Sequence, residues 1–79
     1  MKQDILYKNF PTNPGVYLMK NKMGKIIYIG KAVNLKRRVE SYFLRPHEAR
    51  IEALVLEIKK IDYITTDSAL EALILESKL

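Results

Sequence analysis

The sequence predicts an α+β domain: a small, three-stranded, mainly antiparallel sheet flanked by helices, in the order β-β-α-α-β-α. Three observations predict it. Two β-prone runs, Gly15 to Lys20 and Lys25 to Gly30, flank the turn formers Asn21-Lys22-Met23-Gly24. Three later segments repeat apolar residues at three- and four-residue spacing, the period of a helix. Between the last two of these lies "IDYITTD", whose β-branched content favours a strand. A chain of 79 residues makes one domain at most, with a thin core.

Each element has its own reason. Leu6, Tyr7 and Phe10, ahead of Pro11 and Pro14, form an arm that packs by its apolar side chains. "GVYLMK" and "KIIYIG" are the arms of a hairpin. Asn34 can cap a helix with the body "LKRRVESYF", where Leu35, Val39 and Tyr42 or Phe43 share a face. Arg38 and Tyr42 are one turn apart and so lie side by side. Pro46 ends that helix and suits the first turn of the next, which carries the stripe Ile51, Leu54, Val55 and Ile58. A third strand is expected over Ile61 to Asp67. Asp67 or Ser68 then caps the last helix, and Ser68-x-x-Glu71 has the capping-box pattern. Leu70, Leu73 and Ile74 are expected to face inward.

Composition excludes several classes. There is no cysteine, so neither a disulfide framework nor a thiolate zinc site supports the fold. No apolar run approaches the roughly 20 residues that span a bilayer, and the N-terminus lacks a signal core. A cytoplasmic setting away from membranes is the expectation. The formal net charge of +5 is unevenly spread. Residues 1–50 carry eleven Lys or Arg against three acids, whereas residues 51–79 carry three against six. A one-sided positive field suits a polyanion, most simply nucleic acid, although solubilising charge alone would look similar.

The basic half holds an unusual sequence. "YIGKAVNLKRR" (Tyr28 to Arg38) starts as buried sheet, breaks at Gly30 and becomes a string of cations. Tyr17 and Tyr28 lie on the two arms of the hairpin, near each other if alternation puts them on one face. Lys31 is expected just past the strand, and Arg38 and Tyr42 come from the following helix. Glu76 lies near the end of the last helix. These residue types can supply a base, phosphate-binding cations and a carboxylate for a hard metal ion, the parts of phosphodiester hydrolysis. A lysine beside a phenol would favour the phenolate, and arginine can pair bidentately with phosphate. Residue types alone leave the alternatives open: packed strand tyrosines, a solvated cationic face and a solvated glutamate.

The arrangement narrows the choice. "GVY", ten further residues, "YIG", then Lys and Asn-Leu-x-x-Arg resemble the GIY-YIG nuclease superfamily. The longer stretch "NPGVYLMKNKMGKIIYIGKAVNLKRRVESYF", together with "TDSALEALILE", resembles the N-terminal endonuclease domain of UvrC-type subunits of bacterial nucleotide excision repair. The resemblance implies a GIY-YIG nuclease-like fold and a nick dependent on Mg²⁺ or Mn²⁺, made 3′ to damage in duplex DNA beside other repair subunits. It implies catalytic roles for Tyr17, Tyr28, Lys31, Arg38, Tyr42 and Glu76, with Glu76 also the metal ligand. Gly30 is then the place where a Cβ would obstruct the site, and Asn34 is a helix cap. Lys31, Lys36, Arg37 and Arg38 are expected to contact DNA. Glu71 is the rival acid, about 140° round the helix from Glu76, and His47 has no counterpart in the pattern.

After Glu76 the family continues with Asn, Leu and Ile, whereas Ser77-Lys78-Leu79 follows here. Residues 1–79 are therefore expected to be one nuclease domain, an N-terminal fragment of a longer chain. A non-catalytic, basic nucleic-acid-binding module is the alternative.

Overall fold

The computed structural model of the chain describes residues 6–79, so residues 1–5 of the expected domain lie outside it. Three strands and three helices follow in the expected order: β1 (Gly15–Lys20), β2 (Ile26–Ala32), α1 (Leu35–Leu44), α2 (Ala49–Glu57), β3 (Lys60–Thr65) and α3 (Ala69–Lys78). β1 is central in a sheet ordered β2-β1-β3, antiparallel to both neighbours.

The hairpin turn follows from Asn21 and Gly24. The Asn21 side-chain oxygen accepts from the amides of Met23 and Lys25 at 2.9 and 3.0 Å. Gly24 adopts φ of 80°, a conformation that most side chains resist. The register sets Tyr17 opposite Gly30 and Met19 opposite Tyr28. β2 runs two residues further than its sequence suggests, because Lys31 and Ala32 still pair with Val16 and Gly15. Lys31 is thus a strand residue rather than the first residue beyond the strand.

α1 is capped as anticipated: the Asn34 Oδ1 accepts from the Arg37 amide at 3.0 Å. The arm ties down the same helix end. The amides of Leu35 and Lys36 donate to the carbonyls of Asn13 and Pro11, each at 3.0 Å. Tyr7 stacks on Phe43 and Phe10 packs against Tyr63. Arg45, just before Pro46, is extended and ends the helix. Pro46 itself lies in the α1–α2 connection and not in the first turn of α2, which starts at Ala49.

The core comprises Tyr7, Phe10, Tyr17, Met19, Leu35, Val39, Tyr42, Ile58 and Ile61, with Ile51, Leu54 and Val55 of α2 packed on its margin. α3 departs from expectation. Its capping box forms, with Ser68 Oγ accepting from the Glu71 amide and Glu71 Oε1 accepting from the Asp67 amide. Yet Leu70, Leu73 and Ile74 face outward, Leu70 being 65% exposed, while Ala72 is 1% exposed. The buried edge of the helix runs through Ala72, Leu75 and Glu76. The reason is that residues 69–75 are apolar around almost the whole circumference, Glu71 excepted. Periodicity then cannot choose a face, and small Ala72 lets the helix approach the sheet closely.

Candidate active site

Tyr17 and Tyr28 share a face of the hairpin because they are diagonal neighbours across the β1–β2 ladder. Their ring centroids are 6.1 Å apart. α1 adds Tyr42 from its buried side, with ring centroids 5.9 Å from Tyr17 and 6.4 Å from Tyr28. The hydroxyls of Tyr17 and Tyr42 hydrogen-bond at 2.7 Å in the interior. Arg38, one turn before Tyr42, holds its guanidinium carbon 5.9 Å from the Tyr42 ring centroid. The three phenols differ in access. Tyr17 is wholly buried and Tyr42 nearly so, whereas Tyr28 is 39% exposed and forms the outer member of the cluster.

Gly30 makes this arrangement possible. A Cβ placed there would collide with both Cζ and the hydroxyl oxygen of Tyr17. The Tyr17 ring crosses the second strand only because no side chain stands in its way. Gly30→Ala is therefore expected to displace Tyr17 from Tyr42 and to destabilise the domain by about 1–3 kcal/mol, the usual penalty of overpacking. Urea unfolding of the two proteins checks the stability, and tyrosine fluorescence checks the displacement. Equal midpoints would show that the ring has room to yield.

Burial raises the pKa of all three phenols. For Tyr17 it outweighs the lowering effects of Tyr42 and Arg38. For Tyr42 burial and the bond to Tyr17 push the value up to about 12. Tyr28 is raised by burial first, then by Tyr42, and less by the negative charge of Glu76, while Arg38 opposes. Lys31 does not act on Tyr28 as expected. Strand alternation turns residue 31 to the face opposite residue 28, and Arg38 is the cation that eases phenolate formation.

Glu76 is half-buried on α3, and its charge is felt by Tyr28. Glu71 is exposed and its carboxylate is spent on the Asp67 amide at 3.1 Å. Of the two acids, Glu76 is the one whose charge reaches Tyr28. Among the described residues no group of three or more His, Cys, Asp or Glu side chains converges. A hard divalent ion fits such a place, since magnesium accepts one carboxylate and fills its shell with water and phosphate oxygens.

Beside the cluster, between α1 and the start of α3, lies a groove of about 560 Å³ lined by Lys31, Asn34, Arg37, Arg38, Ser41 and Arg45, with alanines among them. Lys36 does not line it. Two residues escaped sequence reasoning. Arg45 belongs to the groove; its spacing of eight from Arg37, two turns along one helix side, was the available signal. His47 is half-buried rather than on the open surface. Its ring lies 5.9 Å from that of Tyr42, and its Nε2 is 2.7 Å from the Ser41 carbonyl oxygen. Nothing in its position after Pro46 signals this contact.

A hairpin that sets Gly-Val-Tyr beside Tyr-Ile-Gly, with an arginine and a tyrosine from the next helix and a glutamate from the last, defines the GIY-YIG class of nuclease domain. Residues 13–79 match the model of one branch, described as the UvrC-like GIY-YIG domain. The chain belongs to that family. It is 54% identical over 74 residues to UvrABC system protein C of Clostridium botulinum and 51% identical to that of Clostridium acetobutylicum. Each alignment covers 91% of this chain but 12% of the relative, so the chain spans about an eighth of the length of these curated relatives.

Among solved structures, it resembles the GIY-YIG N-terminal endonuclease domain of UvrC from Thermotoga maritima bound to its catalytic divalent cation, magnesium. The TM-score is 0.80 at 38% identity, over 98% of this chain and 82% of that one. Three single Tyr-to-Phe variants of the Thermotoga domain match equally well in shape, at 36% identity, and are also bound to the catalytic divalent cation.

Proposed function

We propose that this domain hydrolyses a phosphodiester bond in damaged duplex DNA, on the 3′ side of the lesion, as one component of an excision-repair assembly. The observation that carries the reading is the meeting of Tyr17, Tyr28, Tyr42 and Arg38 at one face of the sheet, with the charge of Glu76 reaching Tyr28 from α3. In the proposed reaction the phenolate form of Tyr28, the most accessible of the three, takes a proton from a water as that water bonds to phosphorus, and so becomes the neutral phenol. The bond from phosphorus to the leaving oxygen breaks. Tyr42 and Tyr17 anchor the Tyr28 ring from below. Arg38 places positive charge where the transition state gathers negative charge, and Lys31, from the other face of β2, lines the groove beside Arg38 and meets the incoming phosphate backbone. Glu76 would hold the Mg²⁺ or Mn²⁺ ion, which supplies neutralisation of the phosphate and the leaving oxygen. Gly30 gives Tyr17 its place, and Asn34 fixes the start of α1.

Lys31, Lys36, Arg37 and Arg38 are proposed to meet the DNA backbone. Lesion recognition and contacts with other repair subunits are assigned to segments outside these 79 residues. No helix among the described residues is long and apolar enough to cross a membrane. A second reading draws on the raised pKa of every phenol in the cluster, which leaves little phenolate at neutral pH: a basic module that binds nucleic acid without turnover.

The test is nicking of supercoiled plasmid. The nuclease reading expects open circles with magnesium and none with a chelator. Binding without nicking at any divalent ion concentration would support the module instead.

A further inference from the structure

We propose that the groove between α1 and the start of α3 is a track for the backbone of the cut strand, with Arg37 and Arg45 gripping phosphates that flank the reacting one. The inference rests on the nuclease reading for its direction but on the groove for its substance. Four cations, Lys31, Arg37, Arg38 and Arg45, line the groove, and no acid does. Among the described residues none of the four is ion-paired. The other polar groups are committed within the fold. Asn34 Oδ1 accepts from the Arg37 amide, and the Ser41 hydroxyl donates to the Arg38 carbonyl at 2.6 Å. The first-turn amides of α1 are also engaged, by Asn13, Pro11 and Asn34. The positive potential of the groove therefore belongs to the cationic side chains and not to the helix end.

Position then supplies the direction. Arg38 belongs both to the groove and to the tyrosine cluster, so a strand entering one passes into the other. Arg37 lies in the first turn of α1 and Arg45 is the extended residue that ends it, eight positions on, so the helix between them rises roughly 12 Å. That length spans about three nucleotides at the 3.4 Å rise of a DNA strand. Ala32, Val33, Ala69 and Ala72 line the rest, leaving room and an apolar surface for sugars.

The experiment measures binding of the 79-residue chain to synthetic duplexes in chelator, so that cutting is not needed to read it. Duplexes carry a single neutral methylphosphonate, walked along one strand. The variants are Arg37→Gln with Arg45→Gln, and Lys22→Gln, a charge removed from the hairpin turn away from the groove. The double variant is expected to lower the slope of log affinity against log salt by about two, roughly one per lost phosphate contact. Lys22→Gln should leave it unchanged. A neutral phosphate within about three nucleotides of the nick, or at one fixed window of the duplex, should weaken the wild type but not the double variant.

An equal slope loss in Lys22→Gln, or methylphosphonates that weaken both proteins alike, would overturn the track. Should the double variant unfold, Ala69→Glu, which sets an acid on the opposite wall, must give the same slope loss for the track to stand. A chain that never nicks but shows the window and the slope loss would keep the track while removing the nuclease reading.

Discussion

Tyr28→Phe yields a folded domain that binds DNA and has largely stopped cutting it. The expectation rests on what the substitution spares. The ring keeps its neighbours Tyr17 and Tyr42, at 6.1 and 6.4 Å between centroids. The hydroxyl it removes interacts with that of Tyr42, which keeps its bond to Tyr17, so no buried partner is left unpaired. What disappears is the proton acceptor, and a general base contributes roughly 10²–10⁴-fold. The pH profile gives an independent reading. Burial, Tyr42 and Glu76 raise the Tyr28 pKa above its ordinary 10.0. The deprotonated fraction is then small at neutral pH and grows about tenfold per pH unit. Cleavage by the wild type should climb with pH through the neutral and mildly alkaline range, levelling where Tyr28 is half ionised. A divalent ion beside Glu76 moves that point downward. Single-turnover rates at saturating DNA measure both effects. A Phe variant that cuts at near wild-type rate, or keeps the same pH slope, removes Tyr28 as the base.

Glu76→Gln is expected to be as damaging, by a different route. The side chain keeps its shape and is only half-buried, so the fold should survive. Its charge does not. If Glu76 is the protein's one ligand to the ion, its loss removes the several kcal/mol that metal catalysis supplies, or roughly 10²–10³-fold in rate. Titration with magnesium should show binding weakened in step. Glu71→Gln, whose carboxylate serves the helix cap, should keep the rate. A further readout needs neither metal nor DNA. Because the Glu76 charge raises the Tyr28 pKa, the Gln variant should titrate Tyr28 at lower pH, visible in its phenolate absorbance. Undiminished magnesium affinity in Glu76→Gln would place the ion on other groups.

Much of this was legible from residues alone, wherever a local rule had only one solution. The Asn21-to-Gly24 turn, the Asn34 cap and the Ser68–Glu71 capping box each pair a short side chain with a nearby amide, and each formed. Alternation put Tyr17 and Tyr28 together, and the α1 period brought Tyr42 and Arg38 to them. Rules with two solutions failed. A helix apolar on nearly all sides gave no orientation, so Leu70, Leu73 and Ile74 were assigned inward. The true inner edge carries Ala72 and Glu76. Lys31 was misplaced because a strand end is invisible until its pairing partner is known; Val16 extends the ladder through it. His47 was unreadable because its contact with Tyr42 depends on how the α1–α2 connection folds back.

The thin attachment of α3 reaches beyond packing. Among the described residues of that helix, Ala72 alone is fully buried, with Leu75 and Glu76 half-buried, and each buried methyl-sized group contributes only about 0.8 kcal/mol. Native proteins open in parts, and the parts with least buried apolar surface open most readily. α3 is therefore expected to open more readily than the hairpin, α1 and the phenols. Every such excursion carries Glu76 away from Tyr28. The working fraction of molecules is then set by how often one helix is home, a quantity that hydrogen exchange of the α3 amides reports and that melting of the whole domain does not.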